Sequence, residues 1–186
     1  MDISTIREAC RQNYFKKRYK GELFYDRPSK PDFHKLNIGD FFIVNTDSEH
    51  GGAHWFTLMK GSDMWLIFDC SDSTPLYIYK HILSKSAHPY IVDRMKLEGT
   101  YSLLCGEFAI MAASLMTNIL TEFGNRLNFK NYPNLFYSKH IIRYINSFHE
   151  SADKFAFQYV YKSMKKQFCI HPEREKEVKS WLESYV

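Results

Sequence analysis

A chain of 186 residues that is 45% hydrophobic and 17% aromatic carries enough apolar side chain to build a buried core, which excludes a disordered polymer. Its formal charge of +4 is too slight for a protein whose chief partner is nucleic acid, though it admits an auxiliary electrostatic contact. The length suits one domain over 1–186, and no apolar run approaches the roughly 20 residues of a membrane span.

The first residues, Met1 to Glu8, mix acids with apolar positions and lack the apolar centre of a secretion signal. The expectation is a protein kept on the cytosolic or nuclear side of membranes and not secreted. Along residues 2–17, Ile3, Ile6, Cys10 and Tyr14 recur at three- and four-residue steps, which predicts an amphipathic helix. Pro28 and Pro31 mark a loop. Phe41 to Thr46 reads as a buried strand, followed by a glycine-containing loop. Two β-rich runs, His54 to Met59 and Met64 to Asp69, flank a turn at Lys60 to Asp63 and predict a hairpin. A fourth strand is expected at Tyr90 to Met95.

The pattern then changes period. From Cys105 to Phe123, Phe108, Met111, Ala112, Leu115, Met116, Ile119 and Leu120 form a wide apolar stripe, and Gly124 is suited to end that helix. Further helices are expected over Ser138–Phe148 and Ala152–Lys166. A last, charge-rich helix opens at Pro172 and reads as a solvated face packed through Val178, Trp181 and Leu182. The class is α+β: a mixed sheet wrapped by helices, with one helix at the centre.

Three residues stand where they could do chemistry together. His54 opens one strand of the predicted hairpin and Asp69 closes the other, so antiparallel pairing brings carboxylate and imidazole side by side. An acid at one ring nitrogen fixes the tautomer and stabilises the imidazolium. Cys105 stands at a helix start, where the dipole and the unpaired N–H groups favour thiolate. Its own N–H could donate to an oxyanion, and Gly106 lets a substrate backbone approach. The bland alternative is that His54 is an ordinary strand histidine and Cys105 an inert core thiol. Cys70 adjoins Asp69 but lacks a helix start and reads as packing. The four cysteines are widely spaced, which favours free thiols over disulfides; Cys169 and His171 fall short of a metal site, so no metal is expected.

The segments Gly51-Gly52-Ala53-His54-Trp55, Ile67-Phe68-Asp69 and Ser102-Leu103-Leu104-Cys105-Gly106-Glu107-Phe108 resemble the signature segments of the adenain-like viral maturation cysteine proteases. The sentrin- and SUMO-deconjugating proteases share the His-Trp, Asp and Cys-Gly elements, in the same order. Ile43-Val44-Asn45-Thr46 and Tyr25-Asp26-Arg27 resemble further segments of the family, and the likeness covers roughly residues 1–125. The nearest relatives expected are those of virophages and Maverick/Polinton elements. The resemblance implies a Cys-bearing central helix packed on a mixed sheet that bears His54 and Asp69, with Trp55 as a wall of the site. It implies a thiol endopeptidase that processes viral capsid and core precursors at small, Gly-Gly-like sites, in the virion and in host cytoplasm or nucleus. No cofactor is required for the chemistry, although family members use DNA or a peptide as activator. Lys154, Lys162, Lys165 and Lys166, interleaved with Phe155, Phe157, Tyr159 and Tyr161, would suit a DNA contact, against the plainer reading of an amphipathic helix with solvated lysines.

One position departs from the family. Glu98 stands where a Gln supplies the second oxyanion donor, and an ionised carboxylate donates nothing. Either Glu98 is protonated in the site, or it turns away and another donor serves. Competing readings are a deconjugating protease for a ubiquitin-like modifier, a catalytically dead scaffold, and an acetyl-transferring effector of the same clan.

Overall fold

The computed structural model describes residues 3–11, 17–27, 31–47, 54–84, 86–94, 102–123, 152–163 and 172–184. They form α1 (Ile3–Arg11), β1 (Tyr19–Phe24), a short 3-10 turn (Phe33–Lys35), β2 (Phe41–Asn45), β3 (Trp55–Lys60) and β4 (Trp65–Asp69). There follow α2 (Leu76–Ile82), β5 (Tyr90–Arg94), α3 (Cys105–Phe123), α4 (Ala152–Phe157), which continues as π-type turns over Gln158–Ser163, and α5 (Pro172–Ser184). The expected features at Gly51-Gly52-Ala53, Glu98, Gly124, Ser138–Phe148, Lys165, Lys166, Cys169 and His171 lie outside the described residues.

The strands make one five-stranded sheet in chain order. β2, β3 and β4 pair antiparallel, while β1 runs parallel to β2 and β5 parallel to β4. Parallel neighbours need a crossover, and α2 supplies the one between β4 and β5. The three middle strands are buried at every position, as expected of a sheet covered on both faces.

Side-chain alternation sorts these strands into two cores. On one face Phe41, Ile43, Trp55, Met59, Leu66 and Phe68 pack with α1 and α3. On the other, Phe42, Val44, Phe56, Leu58, Trp65 and Ile67 pack with α2 and Phe33. α3 is covered on the side away from the sheet by Ala156, Phe157, Val160, Tyr161 and Val178, so it lies at the centre of the first core. Thr57, fully buried in β3, ties sheet to helix: its Oγ1 donates to the Ala109 carbonyl at 2.7 Å.

The mixed α+β architecture and the Cys-bearing central helix agree with the sequence reading. Two elements it missed are β1 and α2. β3 also starts one residue late, so His54 precedes the strand, and its carbonyl accepts from the Thr46 N–H at 3.0 Å. Val178 of α5 is buried with Trp181 and Leu182 packed beside it, as expected. Phe157 and Tyr161 face the core, leaving them unavailable for base stacking. No helix among the described residues is long and apolar enough to cross a membrane.

Candidate active site

The site forms where β4 ends and β3 begins. Alternation along β4 turns Phe68 towards α3 and Asp69 to the opposite face, where α2 runs. Asp69 is fully buried, and three groups satisfy its carboxylate. Oδ1 lies 2.6 Å from His54 Nε2 and accepts the Ser71 N–H at 2.9 Å, while Oδ2 accepts the Tyr79 hydroxyl at 2.7 Å. Burial pushes the Asp69 pKa up, but the His54 hydrogen bond and charge, followed by Tyr79 and Ser71, hold it below the ordinary carboxylate value.

The His54 side chain is 13% exposed. With Nε2 committed to Asp69, Nδ1 is the ring nitrogen left for a thiol, and Cys105 lies near enough to act on the imidazole electrostatically. Burial alone would lower the His54 pKa. The Asp69 hydrogen bond, the Cys105 hydrogen bond and both charges override it and raise the pKa to about 10. Such an imidazole is protonated at neutral pH and stands ready to pair with a thiolate.

Cys105 is the first residue of α3 and is partly exposed, whereas Cys10 and Cys70 are buried. Hydrogen bonding within α3 begins with the Phe108 N–H on the Leu104 carbonyl, so the N–H groups of the first turn lack partners in their own helix. The Ser102 hydroxyl accepts the Leu104 N–H at 3.2 Å and steadies the approach. Gly106, the next residue of α3, is buried. Trp55 is buried in the core that holds α3, its ring edge-on to Phe24 at 6.5 Å.

The sequence thus named His54, Asp69 and Cys105, and the fold brings the three together, with His54 hydrogen-bonded to Asp69 and Cys105 close enough to perturb the imidazole. Cys70 comes closer than its reading as packing foretold: a ligand atom from each of His54, Asp69 and Cys70 falls within one 4.8 Å cluster. His54 Nε2 and Asp69 Oδ1 already face each other at hydrogen-bond distance, and a metal ion there would have to displace the proton between them. Tyr79 escaped sequence reasoning altogether, because a tyrosine in Leu-Tyr-Ile-Tyr-Lys-His-Ile carries no mark of what it will reach. Arg94 sits beside Asp69 in the β4–β5 register, with its guanidinium 5.2 Å from the Tyr79 ring and a hydrogen bond to the Thr74 carbonyl.

No protein-family model matches the chain, and no curated protein does. Among solved structures it is similar to AvrA with IP6 and CoA, at 12% identity and a TM-score of 0.43, over 65% of this chain. The aligned region spans 47% of that chain, about half its length. At that level of likeness, fold and chemistry rest on this chain's own geometry.

Proposed function

We propose that the protein is a cysteine-type endopeptidase of the adenain-like kind, with Cys105 as nucleophile, His54 as base and acid, and Asp69 as the group that orients His54. The observation that carries this reading is the His54 imidazole held between a buried carboxylate and a thiol at a helix N-terminus. Residues 1–186 are taken as one protease unit. The Cys105 thiolate attacks a peptide carbonyl carbon, a C–S bond forms, and the carbonyl electron pair moves onto oxygen. The first-turn N–H groups of α3, that of Cys105 foremost, stabilise this oxyanion. The C–N bond then breaks as His54 delivers its proton to the leaving amine. In the second half, His54 takes a proton from water, the hydroxide attacks the thioester, and the C–S bond breaks to release the carboxylic acid and restore the Cys105 thiolate beside protonated His54. Glu98, where the family has a donor Gln, serves as second donor only if protonated.

The family resemblance supports capsid and core precursors as substrates and small residues around the cut, in the virion and in host cytoplasm or nucleus, with DNA or a peptide as activator. A ubiquitin-like modifier is the second substrate class. The exposed Leu76 and Tyr77 on α2, the helix that carries Tyr79, offer a folded partner apolar contacts. A Cys105 thioester is resolved by water in proteolysis and by an acceptor amine or hydroxyl in acyl transfer, so the products decide between them.

The test is incubation of the protein with candidate viral precursors and with modifier conjugates, wild type beside Cys105→Ala, followed by mapping of termini. New termini next to small residues are expected with wild type alone. Equal cleavage by Cys105→Ala would sink the assignment, as would iodoacetamide labelling of Cys70 ahead of Cys105 near neutral pH. Added acyl mass on a partner without new termini would show transfer in place of hydrolysis.

A further inference from the structure

We infer that Arg174 of α5 is a positioning residue for Cys105, gripping the chain on both sides of it. Its Nη2 donates to the Leu103 carbonyl at 2.8 Å, two residues before Cys105, and its Nε to Glu107 Oε1 at 2.9 Å, two residues after. Nη2 also lies 3.4 Å from Glu107 Oε2, and the Tyr161 hydroxyl donates to Oε1 at 2.7 Å. The Glu107 carboxylate is fully buried, and the Arg174 side chain is 10% exposed. This inference rests on the reading of Cys105 as nucleophile.

A glutamate in the first helical turn ordinarily reaches back to cap its own helix. Glu107 turns sideways instead, to groups contributed by two separate segments of the chain. A buried ion pair is poor evidence for stability, since apolar side chains of like volume often serve as well. What the pair supplies is geometry. One planar guanidinium bridges the Leu103 carbonyl and the first helical carboxylate, which fixes the bend at which Cys105 and the first-turn N–H groups point. A lysine carries the charge but not the fork, and cannot hold both ends at once. The C-terminal helix, remote from His54 and Asp69 in sequence, thereby acts on the nucleophile without touching substrate.

The experiment compares wild type with Arg174→Lys, Arg174→Ala, Tyr161→Phe and Glu177→Gln, after thermal melting has shown which variants fold. Glu177, an exposed partner of Nη1 at 2.8 Å, is the control. Cys105 alkylation by iodoacetamide, followed by peptide mass, needs no substrate and should slow severalfold in Arg174→Lys. With a substrate identified by terminus mapping, Arg174→Lys should lose about 10- to 100-fold in kcat with little change in KM. Tyr161→Phe should lose less, and guanidinium ion should restore part of the activity of Arg174→Ala. Wild-type alkylation and kcat in a folded Arg174→Lys would overturn the inference, as would an equal loss in Glu177→Gln. Slowed alkylation in a protein that cuts nothing would keep the clamp and remove the protease reading; normal cleavage with an indifferent Arg174→Lys would do the reverse.

Discussion

Asp69 has no access to water, so each of its lone pairs must be met from within the protein or the charge could not be kept. His54, the Ser71 N–H and Tyr79 meet them. Tyr79 holds the oxygen that His54 does not, and so sets the plane of the carboxylate and the direction in which Oδ1 points. Tyr79→Phe should therefore destabilise the fold by about 1–3 kcal/mol, the cost of leaving a buried charged acceptor short of a donor. It should also lower kcat, but by less than Asp69→Asn, which weakens both the tautomer control and the stabilising charge. Urea unfolding and steady-state kinetics on the two variants check this. A Tyr79→Phe protein as stable as wild type would mean that the hydroxyl contributes nothing to holding Asp69. At this scale His54, Asp69 and Cys105 were legible, because strand ends and a helix start are local features; Tyr79 was not, because its role exists only once α2 lies against the sheet.

Elements were read well where one period dominated. β2, β3 and β4 are predominantly apolar runs flanked by turns, and α3 repeats its apolar side chains at helical spacing over nineteen residues. β1 and α2 lack such a signal. Tyr-Lys-Gly-Glu-Leu-Phe is an edge strand, with charges and a glycine tolerated because it is covered only in part. α2 is built of aromatic and β-branched residues that favour strands, and packing of Ile78, Tyr79 and Ile82 on the sheet overrides that preference. Between elements, the Thr57–Ala109 bond is the polar tie that sets α3 against β3, and hence Cys105 against His54. Thr57→Val keeps the volume and removes the donor, so it should cost about 1 kcal/mol. Chemical denaturation measures that directly, and an unchanged midpoint would leave the alignment of α3 to apolar packing.

At the scale of the whole molecule, the charge chain at the site couples stability to pH. The His54 pKa is raised from 6.5 to about 10, against burial, by Asp69 and Cys105. A raised folded-state value means that the imidazolium stabilises the fold fully below about pH 6.5, and that this contribution is lost as the pH rises through about 10. Asp69 is lowered, so its share is present above the ordinary carboxylate range and lost in acid. The stability difference between wild type and His54→Gln should be greatest near pH 5–6.5, shrink steadily towards pH 10, and shrink again in strong acid. Cys105 and Cys70 also face this imidazole, so the profile is repeated in Cys105→Ser, where the alkaline fall should move to lower pH. Unfolding free energies measured across that range supply the test, and a difference that stays flat from pH 6 to 10 would remove the charged His54 from the account.

The amino-acid order by itself determined the class of fold, the helix that presents Cys105 and the hairpin that pairs His54 with Asp69. Each follows from apolar periodicity, a turn and a helix start, which act over a few residues and leave their mark in the residues themselves. Only the tertiary structure decided that His54 gives Nε2 to the acid, that Tyr79 holds the other carboxylate oxygen, and that Arg174 closes on Leu103 and Glu107. Those partners lie up to 71 positions apart. They meet because the apolar faces of α2 and α5 are driven out of water onto their two cores, and buried polar groups then bond with whatever donors arrive beside them. Nothing in the local sequence of either helix records which those will be.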